Sequence, residues 1–173
     1  MPYILQENRP KFDRVLDSLD MSEFGWESVE SLIVHMITEY SASQGGNYAA
    51  YNRTMGMILC CTMELGRRTG VEPTDADRDM FSGSADSSTS TLTEIVMMVS
   101  KLPLADMVAG DMNYCITRLM HSLILLYEGQ TRLFIIDDVL LTMSNIINDF
   151  YLDVIAPYED TKIEANGPVS EIG

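Results

Sequence analysis

Residues 111–129 read DMNYCITRLMHSLILLYEG. Met112, Cys115, Ile116, Leu119, Met120, Leu123 and Ile124 recur at three- and four-residue steps, the spacing of one apolar face on an α-helix. The run begins near Asp111, and Gly129 ends it. Asn113, Thr117 and His121 fall at i, i+4 and i+8, so the same helix carries a polar line, with Arg118 beside it and Tyr114 near its start. A helix of this kind must bury one side against neighbours of similar pattern.

Such neighbours lie on both sides. Downstream, Ile135, Val139, Met143, Ile146, Ile147, Phe150 and Val154 predict a helix from about Arg132 to Ala156, ended by Pro157. Upstream, Leu92, Ile95, Val96, Val99 and Leu102 predict a shorter helix ending at Pro103. Asp75 to Ser90 contains SGSADSSTS and reads as a mobile linker, because it has little apolar side chain to anchor it. Before it, Tyr48 to Arg68 predicts a long helix with Tyr48, Tyr51, Met55, Leu59 and Met63 as its buried stripe. Gly56 and Gly66 inside that helix each cost about 1 kcal/mol relative to alanine, and close packing on a neighbouring helix is the expected compensation. Val29, Leu32, Ile33, Met36, Ile37 and Tyr40 mark a helix capped by Ser22 and stopped at Gly45-Gly46. Phe12, Val15, Leu16 and Leu19 mark the first helix, with Asn8 as its cap and Pro10 in its first turn.

The prediction is an all-α fold: a helical bundle of about six helices in a single domain, 1–173, built from two similar helical hairpins. The hairpins form an internal repeat. Residues 25–68 match 110–152 at an offset of about 85, which pairs His35 with His121, Asn52 with Asp137, Glu64 with Asp149 and Leu65 with Phe150.

Composition narrows the classes of function. Twenty-six acids against 11 bases give a net charge of −15, which repels phosphate backbones and anionic lipids and steers in a basic protein. Nucleic acid and membrane are therefore not expected as partners. Thirteen methionines suit helical core filling or a deformable binding surface. Cys60 and Cys61 are adjacent and point about 100° apart on a helix, and His35 and His121 supply no close cluster with them or Cys115, so no metal site is expected. The N-terminus lacks a signal peptide's pattern. The longest apolar run, Leu119 to Tyr127, is interrupted by His121 and Ser122 and falls short of the ~18 residues of a membrane helix, so a cytoplasmic protein is expected.

Three stretches carry a family resemblance: Met1 to Ile4 (MPYI), Met112 to Leu119 (MNYCITRL) and Ala156 to Gly167 (APYEDTKIEANG). With them the chain resembles a family of small uncharacterised proteins of bacteria, archaea and phages. A further family segment is echoed in the first half by Asn52, Gly56, Cys60, Glu64, Arg67 and Arg68. The second half has Ile136 to Val139 and Tyr151 there, without the glycine and the arginines. The chain thus looks like a duplicated, diverged member. The resemblance implies the helical fold and a phage-related origin, and no mechanism.

Three constellations bear on function. Asn113, Tyr114, Thr117, Arg118 and His121 either hold a carboxylate or phosphate, with Arg118 as the charged donor, or form a hydrogen-bonded seam against the facing helix or against Asp137 and Asp138. Asp137, Asp138, Asp149 and Asp153, with Glu27, Glu30 and Glu64, echo the magnesium sites of all-α nucleotide pyrophosphohydrolases, but a solvated acidic face is the simpler reading. Tyr158, Glu159 and Asp160 follow Pro157 as a structural clamp or a recognition segment. The expectation is a non-catalytic helical protein-binding module, a phage-type regulator or inhibitor that sequesters a protein partner. It needs no cofactor and leaves a homo-oligomer open. The alternative is a small all-α nucleotide-binding or nucleotide-hydrolysing protein using Arg118 and the paired carboxylates.

Overall fold

Pro10 opens the first helix, where a fixed φ helps and a missing N–H costs nothing. In the computed structural model, which describes residues 4–19, 26–69, 96–97, 99–126 and 132–167, this helix is α1, Pro10–Leu16. Its N-cap is Arg9, not Asn8; Asn8 lies in a preceding 3-10 turn, its N–H bonded to the Leu5 carbonyl at 2.9 Å. Ser22 and the expected linker 75–90 lie outside the described residues.

Helix α2 spans Trp26–Ser43 and α3 spans Tyr48–Thr69. Between them Gly45 and Gly46 take φ of 105° and 53°, the left-handed region that favours glycine, and this turns the chain. Asn47 Oδ1 accepts the Ala50 N–H at 3.1 Å and caps α3. Helix α4 spans Ala109–Leu126, and Asp111 Oδ2 accepts the Val108 N–H at its start at 3.2 Å. Helix α5 spans Arg132–Phe150. No strand occurs among the described residues; the fold is all-α.

Pro157 does not end the last helix. A π-turn over Tyr151–Ile155 joins α5 to α6, Ala156–Asn166. The Ala156 N–H bonds back to the Tyr151 carbonyl, five residues earlier, and the widened turn places Pro157 in the first turn of α6, where its missing N–H is harmless. Gly167, at φ 82°, closes α6. The continuous helix holds a span, Asp138–Asn166, long and apolar enough by length and composition to cross a membrane. Asp149 and Asp153 interrupt its apolar sequence. In the fold, Val139, Leu140, Met143, Ile146 and Phe150 of this helix are core residues.

Each hairpin packs on the other. Helix α2 lies mainly on α5, and α3 lies on both α4 and α5, more extensively than either hairpin's helices meet each other. These are the pairings a pseudo-twofold axis generates. One cluster of buried side chains, from Phe12 and Met36 to Met120 and Phe150, spans both hairpins.

Burial refines the repeat. Thr54, Met57, Ile58, Cys61 and Leu65 of α3 are buried where α5 buries Val139, Thr142, Met143, Ile146 and Phe150, an offset of 85 throughout. Val29, Leu32, Ile33, Met36, Ile37 and Tyr40 of α2 instead match Met112, Cys115, Ile116, Leu119, Met120 and Leu123, an offset of 83. In that register His35 corresponds to Arg118, not to His121; the two-residue difference falls in the connection inside each hairpin.

The buried face of α3 is also not the expected one. Tyr48, Leu59 and Met63 are exposed, while Ala50, Thr54, Met57, Ile58, Cys61 and Leu65 are buried. Helix α3 packs against α4 and α5 together, and small side chains allow that approach. Among the described residues nothing compensates Gly56: a Cβ there would meet none of them within 4 Å.

Candidate functional site

The polar line on α4 is divided by the fold. Asn113 is buried, and its carbonyl accepts the Cys61 thiol at 3.9 Å. His121 is exposed. Burial pushes the thiols of Cys61 and Cys115 up to about 12, so both are protonated at neutral pH and neither is a nucleophile.

One position along the helix, Tyr114 and Arg118 face α1. Tyr114 Oη donates to Asp13 Oδ1 at 2.6 Å, and Arg118 Nη2 donates to Asp17 Oδ1 at 2.7 Å. Arg118 Nε lies 3.6 Å from Asp13 Oδ1, an ion pair longer than a hydrogen bond. The Arg9 guanidinium sits 5.5 Å above the Tyr114 ring, and the Phe12 ring packs beside it at 6.4 Å. Burial, and then the hydrogen bond to Asp13, push the Tyr114 phenol up to about 12.

Arg118 is therefore paired with acids, Asp13 of α1 and Asp17 at its C-cap. The spacing explains it: Asp13 in α1 and Asp17 at its C-cap are one turn apart, as Tyr114 and Arg118 are on α4. That matched i, i+4 pattern is present in the sequence. An anion at Arg118 would compete with Asp17 for the guanidinium.

Tyr158 packs back on the bundle. Its ring meets Tyr51 edge-on at 5.1 Å, and Tyr51 in turn meets Phe150 at 6.3 Å. Lys162 Nζ lies 5.2 Å from the Tyr158 ring. Glu159 is half-buried and Asp160 is exposed. Helix α6 has no buried residue. Among the described residues no group of three or more His, Cys, Asp or Glu is placed to hold a metal ion. The π-turn contains Asp153 and breaks its i, i+4 register with Asp149. The side chain of Asp137 lies outside the described residues.

A family model described as a domain of unknown function (DUF6899) matches the chain twice, over residues 1–83 and 74–169. The chain belongs to this family. No curated protein and no solved structure matches it. The first DUF6899 match contains α1, α2 and α3, and the second contains α4, α5 and α6, consistent with a duplicated member. The contacts of Asp13 and Asp17 with Tyr114 and Arg118 thus tie the first DUF6899 match to the second.

Proposed function

We propose that the chain is a non-catalytic helical protein-binding module, a phage-type cytoplasmic regulator that sequesters a basic protein partner. Helix α6 carries this reading. It projects from α5 without a buried residue. It and the preceding π-turn expose Tyr151, Leu152 and Ile163 beside Asp153, Glu159, Asp160 and Glu164. An apolar strip framed by acids, on a chain of net charge −15, suits a partner with apolar residues framed by lysine or arginine. The engagement of Arg118 by Asp13 and Asp17 supports a structural seam on α4 over a nucleotide site there.

Purification of the tagged chain from its native host, with mass spectrometry of bound polypeptides and small molecules, tests the reading. A stoichiometric basic polypeptide is expected with the wild type and lost from the Leu152→Ser/Ile163→Ser variant. A bound nucleotide in its place overturns the reading and favours Arg118 as an anion ligand.

A further inference from the structure

Tyr48, Asn52, Gly56, Leu59, Met63 and Arg67 fall within an arc of about 100° on α3 at 100° per residue. The arc is exposed over most of the helix: Tyr48 at 58%, Leu59 at 44% and Met63 at 70%. It contains no acid, on a chain with 26 of them. At its centre Gly56 costs about 1 kcal/mol of helix propensity relative to alanine. Nothing among the described residues accounts for it, since a Cβ there meets none of them within 4 Å. The repeat does not require this face either. At the offset of 85, Leu59, Cys60 and Met63 correspond to Ser144, Asn145 and Asn148 of α5, which are polar.

We infer that α3 pairs, antiparallel and about a twofold axis, with the α3 of a second copy of this chain. Charge selects that occupant. Arg53 and Glu64 lie on one flank of the arc. In an antiparallel twofold pair the same flanks meet, and residue i faces residue j when i and j have a constant sum. The register that sets Arg53 opposite Glu64 of the second copy does so twice. It also brings Gly56 within a residue of Cys60 of the second copy, so the helices cross where both side chains are small. Leu59 and Met63 are then covered on both chains. In the single chain Glu64 is held by Arg67 at 2.6 Å; in the pair it lies between Arg67 and the second copy's Arg53. The missing Cβ at Gly56 becomes the close approach that a crossing helix needs.

The test is sedimentation equilibrium of the full chain at physiological salt, together with cross-linking by a short bifunctional maleimide. Cys60 is exposed, whereas Cys61 and Cys115 are buried, so the reagent reports on Cys60. A dimer is expected, cross-linked in the wild type and not in Cys60→Ser. Met63→Glu should weaken the dimer at least tenfold without lowering the melting temperature of the dilute chain. Gly56→Ala should separate the two roles of that position, raising the melting temperature of the dilute chain while weakening the dimer. Arg53→Glu should also weaken the dimer, and Arg53→Glu/Glu64→Arg should restore it. A monomer at all concentrations, a dimer indifferent to Met63→Glu, or assembly that grows past two chains overturns the inference.

Discussion

Tyr114 Oη and Asp13 Oδ1 lie 2.6 Å apart across 101 residues of chain. With Arg118 and Asp17 one turn further along, this contact fastens the seven-residue α1 onto α4. A helix that short is not stable by itself. Its place depends on Phe12 and Leu16 in the core and on these polar contacts at the edge.

The first prediction concerns the strength of that fastening. Arg118 is 35% exposed and Asp17 62%, so solvent screens the pair. A double-mutant cycle of Arg118→Ala and Asp17→Ala, read by chemical denaturation, should give a coupling of about 0.5 to 1 kcal/mol. A coupling of several kcal/mol means the pair is buried more deeply than described.

A second prediction follows from the phenol. Its folded value is raised from 10.0 to about 12, so the neutral form is the one the fold favours. The stability this contributes is fully present below pH 10 and is lost as pH rises through about 12. Wild type should therefore lose stability across that window more steeply than Tyr114→Phe, in denaturant midpoints measured at each pH. The buried thiols of Cys61 and Cys115 titrate in both proteins and cancel in the comparison. Parallel curves would mean that neither burial nor the hydrogen bond to Asp13 raises the phenol in the folded chain.

The third addresses the shared core. Phe150 is fully buried and meets Tyr51 of the other hairpin edge-on at 6.3 Å. Phe150→Ala should cost about 3 to 5 kcal/mol, from lost transfer energy and the cavity left behind. Because one cluster spans both hairpins, the unfolding transition should remain single. Two separated transitions would show that the hairpins hold independent cores.

The fourth separates α6 from the bundle. Tyr158 anchors it through the 5.1 Å edge contact with Tyr51. Tyr158→Ala should cost about 1 kcal/mol and speed hydrogen exchange across residues 156–166, while exchange in α3 and α5 stays slow. Unchanged exchange in α6 would mean that the π-turn alone holds the helix in place.

The elements most legible in the sequence are those set by local chemistry. Gly45-Gly46 ends α2 because only a residue without Cβ enters the left-handed region without strain, and Pro10 starts α1 because its ring suits a first turn. Pro157 misled for the same local reason. A proline kinks or ends a helix unless its missing N–H falls where no bond is needed, and the π-turn at Tyr151–Ile155 puts Pro157 in such a place. The candidate site was legible only in part. The pattern of α4 marks Tyr114 and Arg118, but which acids meet them depends on where α1 docks, and tertiary packing sets that.

By itself the sequence determined that the chain is all-α, where most helices start and stop, and that the chain repeats. Periodicity, glycine and proline act over a few residues and need no tertiary partner. The tertiary structure decided which face of α3 is buried, which acids hold Arg118, and that the repeat runs at 83 in one helix pair and 85 in the other. Helix α3 has two apolar faces, and periodicity does not rank them. Packing between α4 and α5 does, because the face bearing Ala50, Thr54 and Cys61 lets three helices approach while the bulkier Tyr48, Leu59 and Met63 are left outside.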